Sequence, residues 1–267
     1  MKKSRRKKYP VFWIAAALVL IGTVAFAAKR HDINRALERA SLPEAVEYQQ
    51  IKNTPLTLVP TPTFSPPYQG GDSRGGEFPS EINLSVPFTV QAPFANWEPP
   101  YKEFCEEASV LMAAKYLKGE SISGPAAADK DMLAIKAFED KRFGYYQDTT
   151  AAETAVILKE YFDINAVKLV DNPTADDITA AVSAGQVVIV PAAGRLLGNP
   201  YYTPPGPLYH MLVVKGFTSD GKFITNDPGT RRGADYLYPE DILLNAMHDW
   251  RSDGEITKGK KVVLIVG

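Results

Sequence analysis

The chain has 267 residues, with 30 lysines and arginines, 31 aspartates and glutamates, three histidines and a single cysteine. The charge is unevenly placed: residues 1–30 hold eight of the bases and no acid, which leaves residues 31–267 with 22 bases, 31 acids and a net charge of −9. An acidic body argues against nucleic-acid binding, which needs a positive footprint. One cysteine with scattered histidines makes no metal-ligand set, and no glycine-rich phosphate loop is present.

In chain order, six bases precede an uncharged apolar run at residues 10–28. At about 1.5 Å per helical residue this run nearly spans a hydrocarbon layer of about 30 Å. The bases ahead of it place the N-terminus in the cytoplasm. Residues 1–30 therefore read as a basic head and a membrane anchor, with the rest of the chain outside the cytoplasm. A signal peptide cleaved after Ala25-Phe26-Ala27 is the alternative, giving a secreted product. Residues 31–80 read as a stalk. Its first part is polar, with a short helix broken at Pro43, and residues 53–80 are rich in Pro, Thr, Ser and Gly, which keeps a chain extended and unfolded.

From about Glu81 to residue 267 the texture is that of a folded domain. Asn83–Val90 reads as a strand. Cys105–Leu117 reads as a helix with Ala108, Leu111, Met112 and Tyr116 on one stripe. Pro125–Phe143 and Thr150–Phe162 read as helices, the second opening on a capping pattern with Glu153. Ala166–Val170 is a strand and Thr174–Ala184 a helix with acids in its first turn and Gly185 after its end. Gln186–Pro191, Tyr209–Phe217, Lys222–Thr225 and Lys260–Val266 are β-rich, and Pro239–Trp250 reads as a helix. Helices first and strands after give an α+β fold rather than an alternating parallel sheet.

A lone cysteine in an exported chain is either reactive or buried and inert. Cys105 opens a helix, where unpaired N–H groups and the dipole favour a thiolate. Glu106 and Glu107 oppose this if they are close, but they lie about 100° and 200° round the helix and need not face the thiol. His210 precedes an apolar strand. With Thr218-Ser219-Asp220-Gly221 as a hairpin loop, His210 faces Gly229, and Asp227 lies on its face at diagonal reach, about 7–8 Å; Asn226 falls on the other face. A carboxylate there would orient the imidazole and stabilise its charged form. His248 reads as a helix-end cap. The Gly194–Tyr202 loop reads as a rim of a groove or a long connection.

The run VPFTVQAPFANWEPPYKEFCEEASVLMAAKYL, followed by YHMLVVKGF and ITNDPGTRRG, resembles the papain-like superfamily, and more narrowly the peptidase family thirty-nine "like" domains, relatives of bacteriocin-leader peptidases. The likeness covers residues 82–267. It implies a papain-like cysteine peptidase fold of the α+β class, with Cys105 as nucleophile, His210 as base, Asp227 as orienting acid and Gln91 as oxyanion donor. No cofactor is implied, and the partner is a peptide or protein substrate. Two features depart from the family pattern: the 14-residue separation of Gln91 from Cys105, and the two glutamates after the cysteine. Other thiol acyl chemistry on cell-wall peptides and a catalytically inactive binding module are the rival expectations.

Overall fold

The computed structural model describes residue 30, residues 32–53 and residues 79–267, so the apolar run 10–28 and most of the stalk lie outside the described residues. Among the described residues no helix is long and apolar enough to cross a membrane. The chain divides into two units, at Leu42 and Pro43. In the first, residues 32–40 are helical. The second holds the candidate site.

Part of the segment read as stalk joins the second unit. Ala45–Val46 (β1) pairs in parallel with Ile82–Leu84 (β2), and Tyr48–Asn53 (α1) follows. Tyr48 packs its ring 5.2 Å from that of Tyr116, and Ile51 sits against Gly185. The expected strand Asn83–Val90 stops early. Beyond Leu84 the carbonyls of Val86 and Pro87 accept from the Asn226 side chain rather than from a neighbouring strand.

Cys105–Lys118 (α2) is the central helix. It is buried on nearly every face rather than along one stripe: Val110, Ala113 and Ala114 are as inaccessible as Ala108, Leu111 and Met112, and so are Glu106, Glu107 and Ser109. A helix apolar all round is one surrounded by protein. Gly119 ends it at φ 65°, a left-handed cap that glycine adopts without strain. Pro125–Arg142 (α3) packs alongside. Ala151–Val156 (α4) opens on the reciprocal Thr150–Glu153 cap and runs into a π-helical turn, Ile157–Tyr161. Thr174 and Asp177 cap Ala175–Ser183 (α5) in the same manner.

The remaining strands are Val167–Asp171 (β3), Val187–Ala192 (β4), His210–Thr218 (β5), Lys222–Asn226 (β6), Tyr236–Pro239 (β7) and Val262–Val266 (β8). The sheet runs β1-β2-β5-β4-β8-β3, with β6 and β7 added from β5, and is antiparallel apart from the β1–β2 pair. The expected α+β class is the one observed. The helix read at Pro239–Trp250 is only Glu240–Ala246 (α6), because its flanks belong to the sheet. Upstream, residues 236–239 pair with β6; downstream, Met247 bridges to Ala192.

The registers around β5 position the site. β6 lies along one edge of β5, while β4 and β2 use successive stretches of the other. The hairpin loop is Ser219-Asp220-Gly221, one residue shorter than expected, but a bulge between Val214 and Gly216 restores the register to Val213↔Asn226. A loop shortened by one and a bulge of one cancel, so Asp227 reaches the His210 face after all. Gly216 sits at this crowded crossing, where an added Cβ would lie 2.3 Å from the Ile82 carbonyl oxygen. Backbone cannot rotate aside, so Gly216→Ala is expected to lower stability by about 1–3 kcal/mol, read as a lower urea midpoint at unchanged slope.

Candidate active site

Cys105 is the first residue of α2 and His210 the first of β5, and both line one cleft of about 720 Å³. Asp227 follows the last residue of β6 and is fully buried. Its Oδ1 accepts from His210 Nε2 at 2.8 Å and from the Gly229 backbone N–H at 2.9 Å. Its Oδ2 accepts from the Tyr238 hydroxyl at 2.6 Å, the Tyr202 hydroxyl at 2.7 Å and Asn199 Nδ2 at 3.0 Å. Burial alone would raise this carboxyl. The His210 charge and the donors outweigh it and hold the carboxyl down at about 2. Burial and the same carboxylate push the Tyr202 and Tyr238 hydroxyls well up, so both remain neutral donors.

A carboxylate at Nε2 selects the tautomer that carries its proton on Nε2 and leaves the Nδ1 lone pair for the cleft. The ring is held from other sides too. Tyr202 meets it edge-on at 5.5 Å, and a Cβ on Gly229 would lie 2.8 Å from His210 Cε1. Tyr202, Asn199 and Tyr238 were not singled out individually in the sequence. Two of them lie in or at the end of the Gly194–Tyr202 loop, so this loop supports the histidine–aspartate pair as well as lining the cleft. Asn226 points the other way, as expected, donating to Val86 and Pro87 carbonyls.

Gln91 folds back to the cleft despite its distance along the chain. Its backbone N–H donates to the Pro228 carbonyl at 3.0 Å, and its Nε2 donates to Tyr101 and Lys102 carbonyls at 3.0 and 2.9 Å. Those carbonyls belong to the short 3-10 turn Tyr101–Glu103 just before Cys105. Both amide protons are thus engaged, and Gln91 ties the Asp227 turn to the start of α2.

Of the two glutamates after Cys105, Glu106 does not turn away from the site. Glu106 bends back so that its Oε2 lies 3.0 Å from Cys105 Sγ, and Glu107 points into the core beside Glu139. Burial pushes the thiol well up; charge on Glu106, the hydrogen bond that the thiol donates to Glu106, and charge on Glu107 push the same way, against one N–H from Met211. The resting sulfur is a neutral thiol. Elsewhere His248 Nδ1 bonds the Gly259 carbonyl at 3.0 Å, beyond the end of α6. Asp249 accepts the Ala151 N–H at the start of α4. Among the described residues no metal-ligand cluster forms.

The family description "Peptidase_C39 like family" matches residues 83–256, and the chain belongs to that family. No curated protein matches the chain in sequence. Among solved structures it is similar to a Bacillus anthracis protein assigned as a C39-like peptidase, at 17% identity and TM-score 0.47, over 70% of this chain and 98% of that one. It is also similar to Prevotella intermedia prointerpain A, at 14% identity and TM-score 0.36, over 52% of this chain and 41% of the other. The active wild-type interpain A cysteine protease matches at 16% identity and TM-score 0.31, over 53% and 55%.

Burial raises Glu139 from 4.5 to about 8, and burial together with charge on Glu139 raises Glu107 as well. A carboxyl with a raised folded pKa stabilises the fold below its unfolded pKa, and that contribution is lost as pH rises through the folded one. Stability is therefore expected to decline between about pH 4.5 and 8. Glu139→Gln should flatten that decline in urea titrations taken across this range.

Proposed function

We propose that the domain is a cysteine peptidase whose catalytic groups are Cys105, His210 and Asp227. The observation that carries this reading is the buried His210–Asp227 bond of 2.8 Å, made at Nε2, in the cleft that Cys105 also lines. His210 Nδ1 takes the thiol proton, and the sulfur attacks the carbonyl carbon of a peptide bond. The imidazolium, stabilised by Asp227, gives that proton to the leaving amine. Water then enters, loses a proton to His210 and releases the acyl group from sulfur.

The oxyanion that forms at each stage needs donors at about 3 Å. The backbone N–H of Cys105, at the first position of α2 where the helix itself offers no acceptor, supplies one. Gln91 supplies the second by exchanging one of its two carbonyl bonds for the oxyanion. The cleft is lined by Trp97, Tyr201, Leu208 and Trp250 together with Arg231, Arg232, Glu103 and Asp148. Such a mixed apolar and charged lining suits a polypeptide substrate.

Cys105→Ala or His210→Ala is expected to lower peptide turnover by about 10⁴-fold or more, and Asp227→Ala by about 10³–10⁴-fold. Asn226→Ala should leave turnover within about tenfold, because it removes a donor on the opposite face. Full turnover by either of the first two variants would refute the mechanism.

The domain works outside the membrane in this reading, supported by the six bases ahead of the apolar run 10–28. Protease added to intact spheroplasts is expected to release a soluble fragment cut within residues 53–80. Protection until lysis would place the domain on the other side.

A further inference from the structure

We propose that Glu106 is a further catalytic residue, a neutral carboxylic acid that donates its proton to the Cys105 sulfur and stabilises the thiolate. The inference rests on Cys105 being the nucleophile. On an ideal helix the residue after Cys105 projects about 100° away. Here Glu106 nevertheless bends back until its Oε2 accepts from the resting Cys105 thiol at 3.0 Å, in a side chain that is only 1% exposed. Its other oxygen is buried without a hydrogen-bond partner, and among the described residues Glu106 forms no ion pair.

The thiol, which donates to Oε2, is the one titratable group that favours a negative charge there. The acids act against it: Glu107 on α2, Glu139 from α3 and Asp148 from the loop before α4, with the Tyr209 hydroxyl raised and neutral on the approach to β5. Burial is the largest influence and acts with the acids. A carboxylate would thus meet three other acids. A carboxyl group keeps its proton and has one acceptor within reach, the sulfur.

The proton balance is closed. At rest both the thiol and the Glu106 carboxyl carry protons. His210 Nδ1 removes the thiol proton, so a single negative charge remains, on sulfur, bonded by the Glu106 O–H. As the S–C bond forms, that charge passes to the substrate oxygen, and Glu106 keeps its own proton throughout. The sign of its influence depends on this proton: a charged Glu106 pushes the thiol up, while a neutral one favours the thiolate. With both Gln91 amide protons engaged on backbone carbonyls, the Glu106 carboxyl is the side chain already at the sulfur, and its O–H turns to donate once the thiol proton has left.

The test uses the whole chain and two readouts, the pH dependence of Cys105 alkylation by iodoacetamide and peptide turnover. Glu106→Gln retains a donor and should stay within about threefold of the parent in turnover, with the alkaline loss of turnover caused by Glu106 ionisation removed. Glu106→Ala should move alkylation to higher pH and lower kcat by about 10²-fold, with little change in KM. Alkylation of Glu106→Ala at lower pH than the parent, or undiminished turnover, would overturn the proposal, because it would mean that Glu106 acts only as an opposing charge. So would loss of activity in a folded Glu106→Gln. If Glu106→Ala fails to fold, the alkaline limb of Glu106→Gln decides alone. Cys105→Ala separately tests the nucleophile, so the two failures are distinguishable.

Discussion

The Asp227 carboxylate is removed from water and surrounded by donors from four parts of the chain: the Asn199–Tyr202 loop, the start of β5, the turn after β6, and β7. A buried charge is tolerated only where hydrogen bonds and an opposite charge compensate it, and each absent donor leaves part of the desolvation penalty standing. Loop, hairpin and added strand must therefore close together around one group. Once they have closed, His210 has one ring orientation and one preferred tautomer, and its second nitrogen is free for the cleft.

The other half of the centre is built on the opposite principle. Cys105 begins a helix covered on nearly every face, and two of the acids that follow it are carried into the interior with it. On the β side a carboxylate is held ionised by five donors. On the helical side burial raises three glutamates, and charge on Glu139 adds to the rise of the other two. Neighbouring carboxyl groups driven apart in proton affinity by their surroundings are the means by which a site holds a base orienter and a neutral acid at the same pH. Gln91 joins the two halves, with its backbone on the Pro228 carbonyl and its side chain on the turn before Cys105.

Much of this was legible in the sequence where a single physical rule governs. The helix from Cys105, the capped helices after Thr150 and Thr174, and the facing of His210 toward Asp227 follow from capping chemistry and strand parity. Strand parity gives the observed register even with a loop one residue too long, since the bulge at Lys215 supplies the difference. What was not legible depends on tertiary contacts. Tyr238 sits in a four-residue strand just before a Pro-Glu-Asp helix start, and its own pattern is too short to declare a strand. The burial of Glu106 and Glu107 cannot be read from a helical wheel when only the last turn of the helix meets water. Residues 45–53 looked like stalk, because a two-residue strand and a one-and-a-half-turn helix carry no periodicity.

The central claim is that Cys105 is made nucleophilic by a histidine oriented by Asp227. It is tested most directly by an electrophilic peptide probe, with the adduct located by mass spectrometry after digestion. The account predicts one adduct, on Cys105, that forms rapidly in the parent chain and at a small fraction of that rate in His210→Ala, with iodoacetamide reaching the denatured thiol equally in both. An adduct on another residue, or equal rates with and without His210, would contradict it.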